Sequence, residues 1–527
     1  MAHIPFYVAI VPAALVWTTW AQSHVSPHAA IRALAVAVGA GIVAWLVTAV
    51  LVRDARRAGL MVLLVELVLL SKVGLSVFAT VYVRAGMVAS AILVLLVTLA
   101  IWVAARIFWK SRTRLSVAAA HSFFNLTAGV LAVTLILLFG VSQQAQWALD
   151  DIARQGSDPD VPPTRSEEAD KRPDIFILMM DGYPRADVLA ARMEFDNSPF
   201  LNALKDRGFK IASESHSGYM WTGLSLTSLL NMAYVEDVPE FAQILARRVP
   251  SHQGVRNAIN RSVAISYLRG AGYGIVATSS GYEQLALRSA DVWLETAHLT
   301  EFEVMLLEST FVGDLLNVAD RDFASREHRG RVVETFELLT EIAAHRGSEP
   351  RFVLAHFPVP HQPAVFGPSG EPVAVPITAD FYGDSSIERE VSLDHFIADY
   401  TGQLEHVNAL LTSAIDEITA ASAIPPIVIV LSDHGSASST DWRATSWRTA
   451  DPAAVLERTG TLFAALTPGH SNVFPKDVEI VHVLPLLFNA YFGTEFQLAV
   501  PPARGIQIPK VDADVLLWRG QTQDGTN

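Results

Sequence analysis

The sequence predicts a protein in two parts: an N-terminal α-helical bundle with five transmembrane spans, and an extracytoplasmic α/β domain with a mainly parallel sheet. Three observations predict it. Apolar residues are concentrated in the first third of the 527-residue chain, basic residues cluster in two short loops there, and strand-like runs alternate with helical ones after Pro173. We place the boundaries at 1–141 for the membrane part, 142–172 for a polar linker and 173–527 for the α/β domain.

Five apolar stretches in the first part are long enough to cross a hydrocarbon core, which takes ~20 residues of helix. They are 4–21, 30–52, 58–83, 85–108 and 124–141. The first is not interpreted as a cleaved signal peptide, because it lacks a basic start and four more spans follow it. Glu66 and Lys72 fall within the third stretch. Ionisable groups at that depth are either functional, or they pair with each other or reach toward an interface.

The orientation of the bundle follows from its basic residues, which mark cytoplasmic loops. They cluster after the second and fourth spans: Arg53, Arg56, Arg57, Arg106, Lys110, Arg112 and Arg114. The other short loops carry only Arg32 and Arg84. We therefore expect a multi-pass protein of a cell membrane, with a cytoplasmic N-terminus and with everything after residue 142 outside. The composition, rich in Arg and Ala and poor in Lys, is typical of a GC-rich bacterial genome.

Composition excludes several classes of protein. The net charge of −14 argues against a nucleic-acid binder, which would carry a basic face. The chain has no cysteine, so disulfides and thiolate metal ligands are excluded. A metal site in this chain would have to use His, Asp, Glu or hydroxyl oxygen.

The second part reads as strands that alternate with helices. The β-rich runs are 174–180, 272–279, 351–357 and 426–432, and helical periodicity is found in 198–208, 254–270, 331–345 and 395–420. This alternation predicts a sheet covered by helices on both faces. In such sheets the ligand site lies at the carboxyl ends of the strands.

Three of these runs end in an Asp or a His. Asp181 follows the first run, His356 and His361 come after residues 351–355 of the third, and Asp433 and His434 follow the fourth. Each alone has a structural explanation as a turn, a helix cap or a solvated loop residue. Together they predict a site for one divalent metal ion, and the donor types leave Mn, Zn, Mg and Ca open.

A nucleophile candidate lies in "SHSGYMWTGLSLTSLLNMAYV" (215–235). Thr222 precedes a helical pattern, so it is either an N-cap or a hydroxyl held at a helix N-terminus beside an anion. Beside a divalent metal, such a hydroxyl would lose its proton more easily and could attack phosphorus or sulfur. Ser217, Ser225 and Ser228 are weaker candidates.

The ordered motifs "MMDGY", "SPFLNALKDRGF", "GYMWTGLSLTSLLN", "AHFPVPHQPAVF" and "LSDHG" resemble the sulfatase-like branch of the alkaline phosphatase superfamily. The likeness is strongest to its membrane-anchored lipoteichoic acid synthases and phosphoethanolamine transferases. The resemblance implies that Asp181, Thr222, Asp433 and His434 bind one divalent metal, with Thr222 as nucleophile. It also implies that a histidine in an H-x-P turn binds the transferred group or a second metal. His361 fits better than His356.

The chain departs from parts of this family. It lacks the C/S-x-P-x-R motif of sulfatases proper, because "TGLSLTS" has neither that Pro nor that Arg, and this disfavours sulfate-ester hydrolysis by the formylglycine route. Lipoteichoic acid synthases usually have Glu where this chain has Asp181. "DGYPRAD" also resembles nucleotide pyrophosphatase-type phosphodiesterases. Relatives that bind two metals have further Asp and His ligands. The sequence offers no full second set of these, and His470 is a weak candidate for one of them.

The resemblance implies a transferase that moves a phosphoglycerol- or phosphoethanolamine-type headgroup from a lipid donor to a cell-envelope acceptor through Thr222. A phosphodiesterase or sulfuric-ester hydrolase with the same site is one alternative, and a non-catalytic binding protein on this fold is another. The polar segment 436–460 is either a solvated loop or a lid whose Arg443 or Arg448 meets an anionic substrate. The expected partners are a lipid or cell-envelope glycan and the membrane, with no nucleic acid.

Overall fold

The computed structural model of the chain describes most of both predicted parts. The described residues are 4–23, 27–70, 117–134, 136, 172–238, 251–296, 298–345, 349–375, 392–438 and 452–501. The chain divides into two compact units. Residues 1–149 and 302–321 belong to the first unit, and most of the remaining chain forms the second. The domain boundaries drawn from the sequence stay a prediction.

The first unit is helical. Its N-terminal helices are α1 (Tyr7–Ser23), α2 (Pro27–Val52), α3 (Ala55–Leu69) and α4 (Val117–Thr134). Asp54 caps α3, since its carboxylate accepts hydrogen bonds from the backbone N–H groups of Arg56 and Arg57. Large apolar side chains stand exposed along α2, which is typical of a helix that faces lipid.

Two described helices, not five, are long and apolar enough to cross a membrane: Ala30–Val52 and Val117–Thr134. This corrects the prediction of five spans for the described part of the chain. The first predicted span, 4–21, forms an apolar helix of only 17 residues. The described helix in the third covers 15 residues, and the stretch 85–108 lies outside the described residues, as does Lys72.

The second unit contains a seven-stranded sheet. Its strands are β1 (Ile175–Asp181), β2 (Lys210–Ile211), β3 (Gly274–Thr278), β4 (Val292–Leu294), β5 (Arg351–Pro360), β6 (Ile427–Ser432) and β7 (Phe463–Leu466). They lie in the order β2-β7-β6-β1-β5-β3-β4. The strands from β6 to β4 run parallel, whereas β7 is antiparallel to both β6 and β2.

The sheet is therefore mixed, which corrects the prediction of a mainly parallel sheet. The antiparallel pairings come from β7 and β2, which have four and two residues. Runs this short give no periodicity that distinguishes them from loops. The sequence pattern captured only the longer, buried strands.

Eleven further helices are described after β1: α5 (Ala186–Met193), α6 (Ser198–Asp206), α7 (Thr222–Asn231), α8 (Ser251–Asn260), α9 (Val263–Gly270), α10 (Glu301–Glu308), α11 (Phe311–Ala319), α12 (Phe323–Ala344), α13 (Leu393–Ala421), α14 (Pro452–Thr459) and α15 (Val483–Phe492). Short 3₁₀ turns lie at Val235–Asp237, Glu283–Leu285 and Ile480–His482. Residues 302–319, which make up nearly all of α10 and α11, belong to the first unit.

Strand β1 is buried along its whole length, as expected for a central strand covered on both faces. Because successive side chains point to opposite faces, Ile175, Ile177 and Met179 pack in one apolar layer and Phe176 and Leu178 in the other. Helices α7, α9 and α15 contribute to the first layer, and α12 and α13 to the second. The unit is a helix–sheet–helix sandwich.

Candidate active site and metal centre

The site forms where three neighbouring parallel strands end at the same edge of the sheet. Strand β1 lies between β6 and β5, so Met180 pairs with Ser432 and Asp181 pairs with Pro360. The residues that follow β6 and β5, Asp433 and His361, therefore converge on Asp181. The backbone N–H of His361 donates to the Asp181 carbonyl at 2.9 Å, which fixes the end of β5 against the end of β1.

Asp181, Asp433 and His434 form a buried cluster. Each offers one ligand atom, and these atoms lie within 4.8 Å of one another. The Nε2 atom of His434 is 3.4 Å from Asp181 Oδ1 and 3.5 Å from Asp433 Oδ2. The exposed fraction is 3% or less for all three residues. Two ionised carboxylates buried side by side repel each other, and a bound cation or a proton on one of them relieves the repulsion.

Hydrogen bonds orient both residues of the Asp433–His434 pair. The Nδ1 atom of His434 lies 2.9 Å from the Gly435 carbonyl, an arrangement in which Nδ1 donates and the lone pair of Nε2 faces the two carboxylates. One carboxylate oxygen of Asp433 accepts from the backbone N–H groups of Gly182 and His434, at 3.0 and 2.7 Å. The other, Oδ2, is buried and has no hydrogen-bond partner among the described residues.

These observations fit a divalent metal ion. A buried carboxylate oxygen without a hydrogen-bond partner is costly, and a cation is the usual compensation. Two carboxylates and a neutral imidazole suit Zn or Mn, and harder ions take the same oxygens. Asp181, Asp433 and His434 are therefore the residues that would hold such an ion.

Thr222 lies beside this cluster. It is the first residue of α7, and its Oγ1 is 3.3 Å from His434 Nε2. Trp221 precedes the helix at the N-cap position, and its side chain makes no capping hydrogen bond. The N-cap explanation of Thr222 is therefore wrong, and its hydroxyl is turned to the acidic cluster. The helix N-terminus also presents backbone N–H groups to an anion at this point.

The two predicted histidines have different environments. His361 is half-buried, packs against Gly182, and has its ring centroid 6.0 Å from that of His434. His356 is buried within β5, with Nε2 3.7 Å from Asp181 Oδ2. Burial lowers the pKa of His356 to about 4, so its ring is neutral at neutral pH. His361 is the more accessible of the two to a substrate.

Helix α13 supports the loop that carries His361. The Gln403 side-chain amide donates to the carbonyls of Pro360 and His361, at 3.1 and 3.3 Å. The Tyr400 hydroxyl donates to the Gly182 carbonyl at 2.6 Å. A single long helix thus holds the chain that follows β1 and the chain that follows β5.

Arg458 is a site residue that the sequence analysis missed. Its buried guanidinium donates to the carbonyls of Met220 and Gly435, both at 3.0 Å, and Nη2 lies 3.4 Å from His434 Nε2. It therefore joins the segment before Thr222 to the segment after His434. The only signal in "VLERTG" is an arginine in the last turn of a short helix, a position that favours basic residues in any protein.

The loop after His434 is packed against α14. Glu457 accepts hydrogen bonds from the hydroxyls of Ser436 and Ser438, at 2.8 and 2.9 Å. A Cβ atom at Gly435 would lie 1.8 Å from the Glu457 carbonyl oxygen, so no larger residue fits there without moving the helix. The glycine of "SDHG" is thus required by close backbone packing.

The remaining candidates are not brought into the cluster. The Ser225 hydroxyl donates to the Asp433 carbonyl and that of Ser217 to the Tyr219 carbonyl, while the Ser228 hydroxyl is buried. His470 is exposed and packs on the Tyr491 ring, 4.3 Å between centroids. Arg443 and Arg448 lie outside the described residues.

No protein-family model and no curated protein matches the chain. Solved structures do. The chain is similar to the zinc complex of the periplasmic domain of Escherichia coli EptC (11% identity, TM-score 0.39, 61% of this chain and 83% of that one). It is also similar to the integral membrane protein lipooligosaccharide phosphoethanolamine transferase A of Neisseria meningitidis (13% identity, TM-score 0.37, 92% of this chain and 93% of that one). A third similar structure is that of the 2-O GAG sulfatase BT1596 (16% identity, TM-score 0.40, 63% of this chain and 72% of that one). These proteins belong to the two groups, phosphoethanolamine transferases and sulfatases, that the sequence motifs resemble.

Proposed function

We propose that the protein is a membrane-anchored, metal-dependent transferase that moves a phospho-headgroup from a lipid donor to a cell-envelope acceptor through Thr222. The observation that carries the proposal is the position of the Thr222 hydroxyl. It lies at a helix N-terminus, 3.3 Å from Nε2 of His434. His434 forms a buried cluster with the carboxylates of Asp181 and Asp433. A hydroxyl placed there is suited to attack phosphorus. A threonine with only a structural role would not require a neighbouring cluster of metal-ligand residues.

In the first half-reaction, Thr222 Oγ1 attacks the donor phosphorus as an alkoxide. A bond from Oγ1 to phosphorus forms, and the bond from phosphorus to the lipid oxygen breaks. The imidazolium of His361 gives its proton to the departing lipid oxygen, so the lipid leaves as an alcohol. The N-terminal N–H groups of α7 stabilise the charge on the phosphoryl oxygens.

In the second half-reaction, an acceptor hydroxyl attacks the phosphothreonine. His361 takes the acceptor's proton, and Thr222 leaves as the alkoxide, which restores both residues. A divalent ion held by Asp181, Asp433 and His434 would lower the pKa of the Thr222 hydroxyl and offset the negative charge of the phosphoryl group.

The first unit, which we call the membrane unit, supports a lipid donor. Its helices expose apolar side chains, and two of them are long and apolar enough to cross a bilayer. A catalytic unit tethered to such helices meets phospholipid headgroups at a high local concentration. The proposal includes a cytoplasmic N-terminus and an extracytoplasmic catalytic unit, because the basic loops predict that orientation.

The test is a mass spectrum of the peptide that contains Thr222. The purified full-length protein is incubated with bacterial lipid extract and Mn²⁺ or Zn²⁺, and then digested. A glycerophosphate or phosphoethanolamine mass on Thr222 is expected, and its mass identifies the donor class. The adduct should be absent from Thr222→Ala and present in Ser228→Ala, which removes a buried hydroxyl of the same helix.

The products then separate transfer from hydrolysis. A glycan or lipid product carrying the headgroup supports the transferase, whereas the free headgroup phosphate supports a hydrolase that uses water as acceptor. Intact lipid, no adduct and no bound metal in the purified protein would overturn the proposal in favour of a non-catalytic binding protein.

A further inference from the structure

The α10–α11 hairpin is a part of the chain that the proposed reaction does not use. It is flanked in sequence by β4 and α12 of the second unit, yet residues 302–321 group with the membrane helices. Phe302 and Leu306 of α10 pack in one apolar cluster with Val16, Trp20 and Ala33 of α1 and α2. The hairpin is therefore built onto the membrane unit and is not a surface insertion that projects freely.

Two features indicate the depth at which α10 packs. Trp17 and Trp20, near the end of α1, pack together with ring centroids 4.8 Å apart, and tryptophan is enriched at membrane–water interfaces. Arg32, near the start of α2, forms an ion pair with Glu303 of α10. A charged pair of this kind is favoured at an interface and costly in hydrocarbon. In the predicted orientation, both features lie at the outer interface.

Helix α11 follows α10 after a turn of two residues. A Cβ atom at Gly313 would lie 2.4 Å from the Leu307 carbonyl oxygen, so a larger residue does not fit beside this turn. Two apolar residues of α11 are exposed. The exposed fraction is 59% for Leu315 and 86% for Val318. These two residues are three apart and share one face of the helix, whereas Asn317 is roughly 200° around the axis from Leu315.

The helix that carries Leu315 and Val318 contacts another helix with exposed apolar residues. Helix α11 contacts α3, whose last described turns expose Leu67 and Val68 by 50% and 64%. Single exposed apolar residues are common, but exposed apolar residues on two helices that contact each other are typical of membrane contact.

We propose that the α10–α11 hairpin is an interfacial membrane anchor whose face containing Leu315 and Val318 inserts among the acyl chains of the outer leaflet. The occupant of the face is lipid, and the hairpin is a second attachment of the catalytic unit's chain to the membrane, in addition to the linker 142–172. An interfacial helix binds the membrane by burying its apolar face at the boundary between headgroups and acyl chains.

Site-specific quenching tests the proposal in the intact protein. Because the chain has no cysteine, Leu315→Cys, Val318→Cys and Asn317→Cys each offer one site for a bimane label. The labelled full-length proteins are placed in nanodiscs of phosphatidylcholine with or without brominated acyl chains. Brominated lipid should quench the label at 315 and at 318 and leave the label at 317 largely unaffected. Equal quenching at 315 and 317, or none at 315 and 318, would overturn the proposal.

Val43→Cys is the positive control, since Val43 is 59% exposed near the middle of α2. If position 43 is quenched and positions 315 and 318 are not, the helices cross the bilayer but the hairpin does not touch it, and the proposal is wrong. Melting curves of each labelled variant show that it is folded. The quenching measures no catalysis, so its result is independent of the proposed transferase activity.

Discussion

Thr222 Oγ1 and His434 Nε2 lie 3.3 Å apart, although 212 positions separate the two residues in the chain. The contact joins the first residue of α7 to His434, the second residue after the end of β6. It therefore depends on the packing of α7 across one face of the sheet, where Leu226, Leu229 and Leu230 enter the same apolar layer as β1 and β6. The apolar side of α7 sets the position of its N-terminal hydroxyl.

Thr222→Ala should abolish headgroup transfer while leaving the metal in place. We expect turnover to fall by at least about 10³-fold, because the covalent step loses its nucleophile. Thr222→Ser keeps a hydroxyl and should retain much of the activity. Turnover of a labelled lipid donor and metal content by elemental analysis are measured together. Full turnover by Thr222→Ala would contradict the proposed function.

Asp433→Asn should lose the bound metal. The substitution replaces a carboxylate by a neutral amide. One oxygen of this carboxylate is buried and has no hydrogen-bond partner in the described part of the chain. We expect a loss of affinity of at least roughly 100-fold for Zn²⁺ or Mn²⁺, since removing a ligand costs more than removing its supporting residues. The matched control is Asp416→Asn, whose exposed carboxylate pairs with Arg207. Equal metal content in the two variants would contradict the assignment of the site.

Much of the site could be predicted because its residues follow strands that are easily recognised. The buried runs of β1 and β6 are each observed within one residue of the predicted range. Strand β1 ends at Asp181, and Asp433 directly follows β6. The convergence of Asp181 and Asp433 then follows from parallel strands sharing one edge. No knowledge of side-chain contacts is needed for this step.

Other features depend on contacts that leave no local pattern. The predicted helix 254–270 is two helices, because the chain breaks around Ser262 between α8 and α9. The sequence of α10 and α11 does not indicate that residues 302–321 group with the first helical unit, and this grouping is visible only in the structure. Arg458 acts on carbonyls of Met220 and Gly435, and a side chain that binds distant backbone atoms has no sequence spacing to recognise.

The stability of the protein should decrease as the pH is lowered, because the imidazole of His328 is buried. Burial and the nearby Arg331 lower the pKa of His328 to about 3 in the folded state. The unfolded chain then takes up the proton first, so this contribution to stability is complete above pH ~6.5 and is lost as pH falls toward ~3. One such group changes the free energy of unfolding by about 1.4 kcal/mol per pH unit in that window.

The measurement is urea unfolding of the full-length protein in detergent at pH 7, 6 and 5. His328→Gln should have a smaller loss of stability between pH 7 and pH 5 than the wild type, by about 2 kcal/mol. His470→Gln alters an exposed histidine and should keep the wild-type dependence. An unchanged pH dependence in His328→Gln would show that this imidazole is not the group responsible.

Arg458→Lys should slow transfer without removing the metal. The planar guanidinium holds two carbonyls, of Met220 and Gly435, at 3.0 Å each, and these belong to the segments that carry Thr222 and His434. A lysine keeps the charge but cannot reach both carbonyls with the same fixed geometry. The nucleophile and the metal ligand would then be held less rigidly relative to each other. We expect kcat to fall by about 10- to 100-fold, with little change in metal affinity.

The matched control for Arg458→Lys is Arg192→Lys, because Arg192 contacts the same short helix from outside through its ion pair with Glu457. If Arg458 acts only by stabilising the fold, both variants should lower the melting temperature, and neither should lower kcat at unchanged KM. If it positions the site, Arg458→Lys alone should lower kcat at unchanged KM and metal content. A loss of metal in Arg458→Lys would instead mean that the guanidinium keeps His434 in its ligand orientation. The comparison of kcat with metal occupancy therefore decides between two roles of Arg458. A lower kcat at full metal occupancy means that it positions the segment before Thr222, and a lower occupancy means that it positions the segment of His434.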